Sequence, residues 1–200
     1  LQALIDSVEV AEQVKLADEV MRLAGETGDW APAAETLGVL AERAPATEDQ
    51  ARLYATLAEV HAERLGAQEQ ALNAYAKALE LQPTEAWFSA TIPLHRKLGQ
   101  EAELVGTYLS LADLQKDGAR HESLLEAAKL LREALGDEEG AFGAAEIVLA
   151  EAPEHPEALE LGESLAGALQ RWDVLFDVLV RRAAAADGEA ALALRKQAVS

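Results

Sequence analysis

The sequence contains no cysteine. That excludes disulfides, thiolate metal sites and cysteine nucleophiles together, although it leaves the compartment open. Aromatic residues make up only 4% of the chain, while half of it is hydrophobic, and alanine and leucine supply most of that half. Both are strong helix formers, and the mixture suits helices that approach closely through small side chains. Strand signals are missing as well: there is no sustained apolar/polar alternation, and no Asn-Gly or Asp-Gly turn joins β-branched runs. Basic residues are scarce, 17 against 36 acidic, for a net charge of −19. Nucleic acids and anionic membrane surfaces are gripped by Lys and Arg, so this balance argues against both. No apolar run approaches the roughly 20 residues that a bilayer-spanning helix requires. No stretch has the charged, apolar and small-residue order of a signal sequence.

What is present is a repeat. In GAQEQALNAYAKALELQP, Gly66 to Pro83, apolar or small residues follow the glycine at five, nine and twelve places (Ala71, Tyr75, Ala78), and a proline closes the stretch. The same offsets from Gly136 give Ala141, Ala145, Val148 and Pro153; from Gly28 they give Ala33, Leu37, Leu40 and Pro45. From Gly99 they give Leu104, Tyr108 and Leu111; from Gln170, Leu175, Leu179 and Arg182. In these two copies Lys116 and Asp187 stand where the others have proline. The starting points lie 33 to 38 residues apart, the length of a helix-turn-helix repeat. A longer period of 70 or 71 residues links Gly28 to Gly99, Gly66 to Gly136 and Gly99 to Gln170. Trp30 and Trp172, each opening a second helix, lie two such periods apart. Repeats therefore alternate in type, one closed by proline and one by a looser end.

Helical periodicity and caps divide the chain into repeats at about 8–45, 47–83, 84–117, 119–153 and 154–187, with a partial repeat at 188–200. All belong to a single segment, 1–200. Asp6 or Ser7 is expected to cap a first helix, with Glu9 as its capping-box partner and an end at Gly25 to Gly28. Asp29, Thr47 and Thr84 are expected caps of later helices, and Asp117-Gly118 an expected loop. Pro93 interrupts the helix that starts after Thr84, and a kink is expected between Ala90 and Pro93. The chain opens and closes in mid-pattern and is read as a piece of a longer protein.

LAEVHAERLG (Leu57 to Gly66) joined to EQALNAYAKALELQP (Glu69 to Pro83) resembles a tetratricopeptide repeat. Leu57, Ala58 and His61 match the first helix of that pattern; Ala71, Tyr75, Ala78 and Pro83 match the second. Ala127, Ala128, Gly136, Ala141 and Pro153 match it again one double repeat later. The resemblance implies an all-α, right-handed superhelical solenoid of about five such repeats with partial terminal helices. It also implies a concave groove of first helices that binds a peptide or protein partner. The Lys and Asn clamp by which one subgroup holds a C-terminal carboxylate is not reproduced at Lys15, Arg22, Arg52, Ala55 or Glu59. Similar arrays occur in bacterial secretion, envelope and motility assemblies, so a structural spacer that self-associates end to end is the competing reading. The compartment stays open; a soluble chain of the bacterial cytoplasm or periplasm, without membrane insertion, is the expectation.

Chemistry is sparse. His61, His95, His121 and His155 follow the repeat spacing and never fall at i, i+4 on one helix, so they read as structural residues and not metal ligands. His61 and His95 are expected between helices, and His155 at a turn or cap. No phosphate loop, no GxSxG and no EF-hand loop occurs, so no catalytic residue, metal or cofactor is assigned. Trp30 and Trp172 read as packing residues. One surface candidate remains, a basic spot in an acidic chain: Arg96 and Lys97, beside Pro93 and Trp87, with Lys129 and Arg132 on the next first helix. Its functional reading is a site for an acidic peptide or a carboxylate terminus. The plain alternative is local pairing, since Glu126 and Glu133 flank Lys129 at i−3 and i+4.

Overall fold

The left-handed backbone positions punctuate the helices. The structure, a computed structural model, describes residues 10–185 and 188–198. Gly28, Gly66, Gly99 and Gly136 have φ of +80°, +64°, +66° and +67°, and Gln170 has +57°. These are the five repeat starts read from the sequence. Each follows a first helix and turns the chain into a second one, a conformation that glycine adopts without a Cβ clash. The caps differ from copy to copy. Ala67 N–H donates to His61 C=O, and Asp137 N–H to Leu131 C=O, both six residues back. Arg171 N–H, at the same place after Gln170, donates to Ala166 C=O five residues back, while the left-handed residues Gly28, Gly99 and Gln170 donate to Ala24, Arg96 and Gly167, four, three and three residues back.

Two compact units make up the chain, Leu1–Gly99 and Gln100–Ser200. The first holds α1 (Val10–Thr27), α2 (Trp30–Arg43), α3 (Thr47–Glu59), α4 (Gln68–Leu81) and α5 (Glu85–Leu98). The second holds α6 (Glu101–Leu114), α7 (Asp117–Glu133), α8 (Glu138–Glu151), α9 (Pro156–Ala168), α10 (Trp172–Ala185) and α11 (Gly188–Ala198). No strand occurs among the described residues. Within each unit every helix packs against the next in sequence, so the fold is an all-α, TPR-like succession of helix pairs.

Alanine makes this packing possible. Ala58, Ala71, Ala78, Ala128 and Ala141 are all 0% exposed, which lets neighbouring helices come close. Tyr75 fills the space beside them in the first unit. The offsets of five, nine and twelve are buried throughout α2, α4, α6 and α8; in α10 only Leu179 is, with Leu175 and Arg182 partly exposed. Each fully buried Leu, such as Leu37, Leu40 or Leu104, contributes about 1.5–3 kcal/mol of hydrophobic stabilisation.

Helix α1 ends at Thr27, within the expected Gly25 to Gly28 limit, and the Thr27 hydroxyl donates to Leu23 C=O. Several other local expectations change. The expected caps at Asp6, Ser7 and Glu9 lie outside the described residues, as does Asp187. Asp29 sits at the N-cap of α2 without a side-chain cap bond, and Thr47 is the first residue of α3 instead of its cap. Thr84 does cap α5, accepting from Trp87 N–H at 3.3 Å. Asp117-Gly118 is no loop: both belong to the first turn of α7, with Asp117 at φ +50°. The largest departure is a π-turn, Val60–Arg64, which continues α3 to its C-terminal end.

Candidate functional site

First helices carry the surfaces of interest. In the first unit, Ala17, Asp18 and Met21 of α1 face Asp49, Arg52, Leu53 and Thr56 of α3 across a groove of about 180 Å³. The residues recur at i, i+3 and i+4, so the groove follows from two amphipathic helices laid side by side. Leu53 and Ala17 are buried and form its floor, while Asp18 and Asp49 make the rim acidic. Arg52, the groove's cation, is held at 2.6 Å by Glu48 one turn earlier. Nothing in the sequence marked this groove except the placement of Arg52 on a first helix.

The same unit contains four of the six basic-spot residues, all on α5. Trp87 packs its ring against the core from the first turn. Pro93 offers no N–H to the carbonyl of Ser89, yet the helix continues unbroken to Leu98. The buried Thr91 hydroxyl donates to Phe88 C=O at 2.8 Å in the turn before it. Pro93, Arg96 and Lys97 are exposed.

Lys129 and Arg132 lie on α7 in the second unit, and the structure binds both to the next first helix. Lys129 Nζ is 2.9 Å from Glu126 and 2.5 Å from Glu157 of α9. Hydrogen bonds to Glu157 and then Glu126 hold its ammonium well above the usual lysine range. Arg132 donates to the Ser164 hydroxyl of α9 at 2.8 Å. Glu126 is thus the partner its i−3 spacing suggested. The second partner is Glu157 on α9, a tertiary neighbour that helical spacing within α7 does not reveal.

Histidines behave as structural elements. His155 caps α9, its Nδ1 accepting from Ala158 N–H at 3.4 Å. His121 Nε2 lies 3.0 Å from Glu151, which also takes Arg120 at 3.1 Å. The Arg120 guanidinium, then His121, holds the Glu151 carboxyl below the usual range. His61 sits in the π-turn with its Nδ1 buried and without a hydrogen-bond partner among the described residues, and burial pushes its pKa down. Glu59 is pushed up by desolvation and by Glu63, and Tyr75 is raised to about 12, first by burial and then by Glu59 and Glu63. No group of three or more His, Asp or Glu among the described residues is arranged to hold a metal ion. No helix among them is long and apolar enough to cross a membrane.

The two tryptophans part company. Trp30 packs on the core with the Arg64 guanidinium 4.9 Å over its ring. Trp172, read as a packing residue, is instead 63% exposed. The π-turn that closes over Trp30 has no counterpart beside it among the described residues.

No family model matches the sequence, and no curated protein does. Among solved structures the chain is similar to a tetratricopeptide repeat protein from Parabacteroides merdae, at 18% identity over 85% of this chain, with a TM-score of 0.48. It spans 64% of the length of that protein's chain. It is also similar to MamA protein, at 10% identity over 94% of both chains, with a TM-score of 0.49. A third similar structure is the TPR2AB domain of yeast Sti1 in complex with pHSP90, at 12% identity over 88% of this chain and 77% of that one, with a TM-score of 0.40.

Proposed function

We propose that the chain is a non-catalytic protein–protein interaction scaffold, part of a larger protein, whose first helices form a concave groove for a peptide or protein partner. The observation that carries this reading is the groove between α1 and α3, with buried apolar residues at its floor and charge confined to its rim. A preformed groove costs little ordering entropy on the receptor side when a segment docks. In this reading Trp87, Pro93, Arg96 and Lys97 on α5 of the first unit also contact the partner, as do Lys129 and Arg132 on α7 of the second, the four cations meeting its acidic groups. At Lys129 such groups must displace Glu126 and Glu157, so binding there is an exchange of ion pairs. The test is capture with the chain as bait, followed by affinity measurement with Asp18→Lys/Asp49→Lys. The reading requires a partner whose affinity falls in that variant; unchanged affinity would remove the groove from the interface.

A second reading, a spacer that self-associates within a large assembly, is favoured by one comparison. Phe142, six residues after Gly136, is 2% exposed, whereas Phe176, six after Gln170, is 50% exposed. Trp172, Val180 and Leu192 are exposed in the same unit. Light scattering of wild type against Trp172→Ser/Phe176→Ser separates the readings: association lost in the variant supports the spacer, and a monomeric wild type rejects it.

A further inference from the structure

Helices α8 and α10 enclose a second groove, larger than the first and made entirely by second helices. Its volume is about 350 Å³. Leu149, Val174 and Val178 form the floor, Leu149 and Val178 being buried. Glu146, Asp173 and Asp177 stand around it, with Arg181 as the one cation in the lining. Arg181 is already paired, at 2.6 Å, with Asp177. Glu146 and Asp173 make no ion pair or side-chain hydrogen bond with any described residue. The floor exists because α9 brings Gly162 up between the two helices. A Cβ there would lie 3.1 Å from Leu149 and 3.7 Å from Val178.

From this geometry we infer that the α8–α10 groove is a docking site for a basic amphipathic helix of a protein partner. Asp173, Asp177 and Arg181 step along α10 at i, i+4 and i+8, an edge of about 12 Å at 1.5 Å per residue. Val174 and Val178 keep the same step on the apolar side. An incoming helix laid along the groove seats its aliphatic face on Leu149, Val174 and Val178, with Lys or Arg on its flanks facing Glu146 of α8 and Asp173 of α10. Charge selects the occupant: a second copy of this chain carries −19 and would bring like charge to an acidic rim. The inference does not rest on the first-helix groove and concerns the other set of helices.

The test uses a fluorescent helical peptide of leucine and lysine, with leucine at i, i+3, i+4 and i+7, titrated against the full chain. Two controls replace its lysines by glutamate or its leucines by serine. Glu146→Lys/Asp173→Lys changes exposed side chains only and keeps the fold, as circular dichroism will report. Expected is a loss of affinity of about tenfold or more in that variant, no binding of the glutamate peptide and weak binding of the serine one. Glu35→Lys/Glu42→Lys, of equal charge change but on exposed positions of α2 outside both grooves, should alter affinity by less than about twofold. Equal losses in the two variants would mean non-specific attraction to an acidic protein and overturn the inference, as would unchanged affinity in Glu146→Lys/Asp173→Lys. Neither result bears on the α1–α3 groove.

Discussion

Gln170 and Gly99 stand 71 residues apart and share one backbone conformation, φ +57° and +66°, each donating its N–H to the carbonyl three residues back. Only one of them is glycine. The left-handed conformation costs an L-residue about 1–2 kcal/mol, partly offset by the flexibility a glycine would add to the unfolded chain. Gln170→Gly should therefore raise stability by about 0.5–1 kcal/mol in urea or guanidinium unfolding. Gly136→Ala, at φ +67° with nothing within 4 Å of the added Cβ, should lower it by about 1 kcal/mol. An opposite sign in either variant would contradict the assignment of these residues as repeat starts.

Close approach of helices at Ala71 gives the second prediction. Ala71 is fully buried beside Tyr75. Ala71→Leu should overpack the contact at a cost of about 1–3 kcal/mol. Tyr75→Ala should cost about 3–5 kcal/mol, by analogy with other buried aromatic residues. Thermal or denaturant unfolding reads both, and stability unchanged in both would remove this packing from the account.

A pH dependence follows from the π-turn. His61 has its pKa lowered by burial, so its contribution to stability is present above about 6.5, its ordinary value. It is lost as pH falls below that value through the folded-state pKa. Burial alone accounts for the shift of His61, while Tyr75 of α4 is raised by burial and then by Glu59 and Glu63, two residues to either side of His61 in sequence. His61→Phe leaves those groups in place and should lose less stability than wild type between pH 7 and pH 5. Parallel curves would show that His61 is not desolvated in the folded chain. Tyr75 moves the other way: raised to about 12, it contributes stability below pH 10 that disappears as pH climbs through 12.

Lys129 and Arg132 separate stability from binding. Their partners Glu126, Glu157 and Ser164 are partly exposed, and pairs of that kind contribute about 0–1 kcal/mol. Lys129→Met/Arg132→Met should thus change stability by less than about 1 kcal/mol. If the two residues also meet the partner, affinity for a captured protein falls about tenfold or more in the same variant. Unchanged affinity would leave them as ties between α7 and α9 alone.

How much of this was legible in the sequence differs from residue to residue. The repeat starts were, because a left-handed cap favours glycine and glycine at a fixed period is conspicuous; Gln170 was found only through its neighbours' spacing. The buried offsets were legible too, since Ala33, Ala71 and Ala141 recur at one helical register, five residues after the glycine. The π-turn at Val60–Arg64 was not. Its six-residue cap reaches back from Ala67 to His61, and no residue type announces it. Nor was Glu157, which meets Lys129 from another helix, nor the α8–α10 groove, whose carboxylates look like any solvated face until Leu149 and Val178 are seen beneath them. Trp172 failed for a related reason: its register matches that of Trp30, but register says nothing about whether a covering turn is present.

The most direct test of the scaffold account is hydrogen exchange of the chain, read by mass spectrometry, with and without a protein that it captures. The account predicts slowed exchange in the first-helix segments 17–21 and 49–56, which line the α1–α3 groove. A captured partner that leaves both segments exchanging as in the free chain would contradict it.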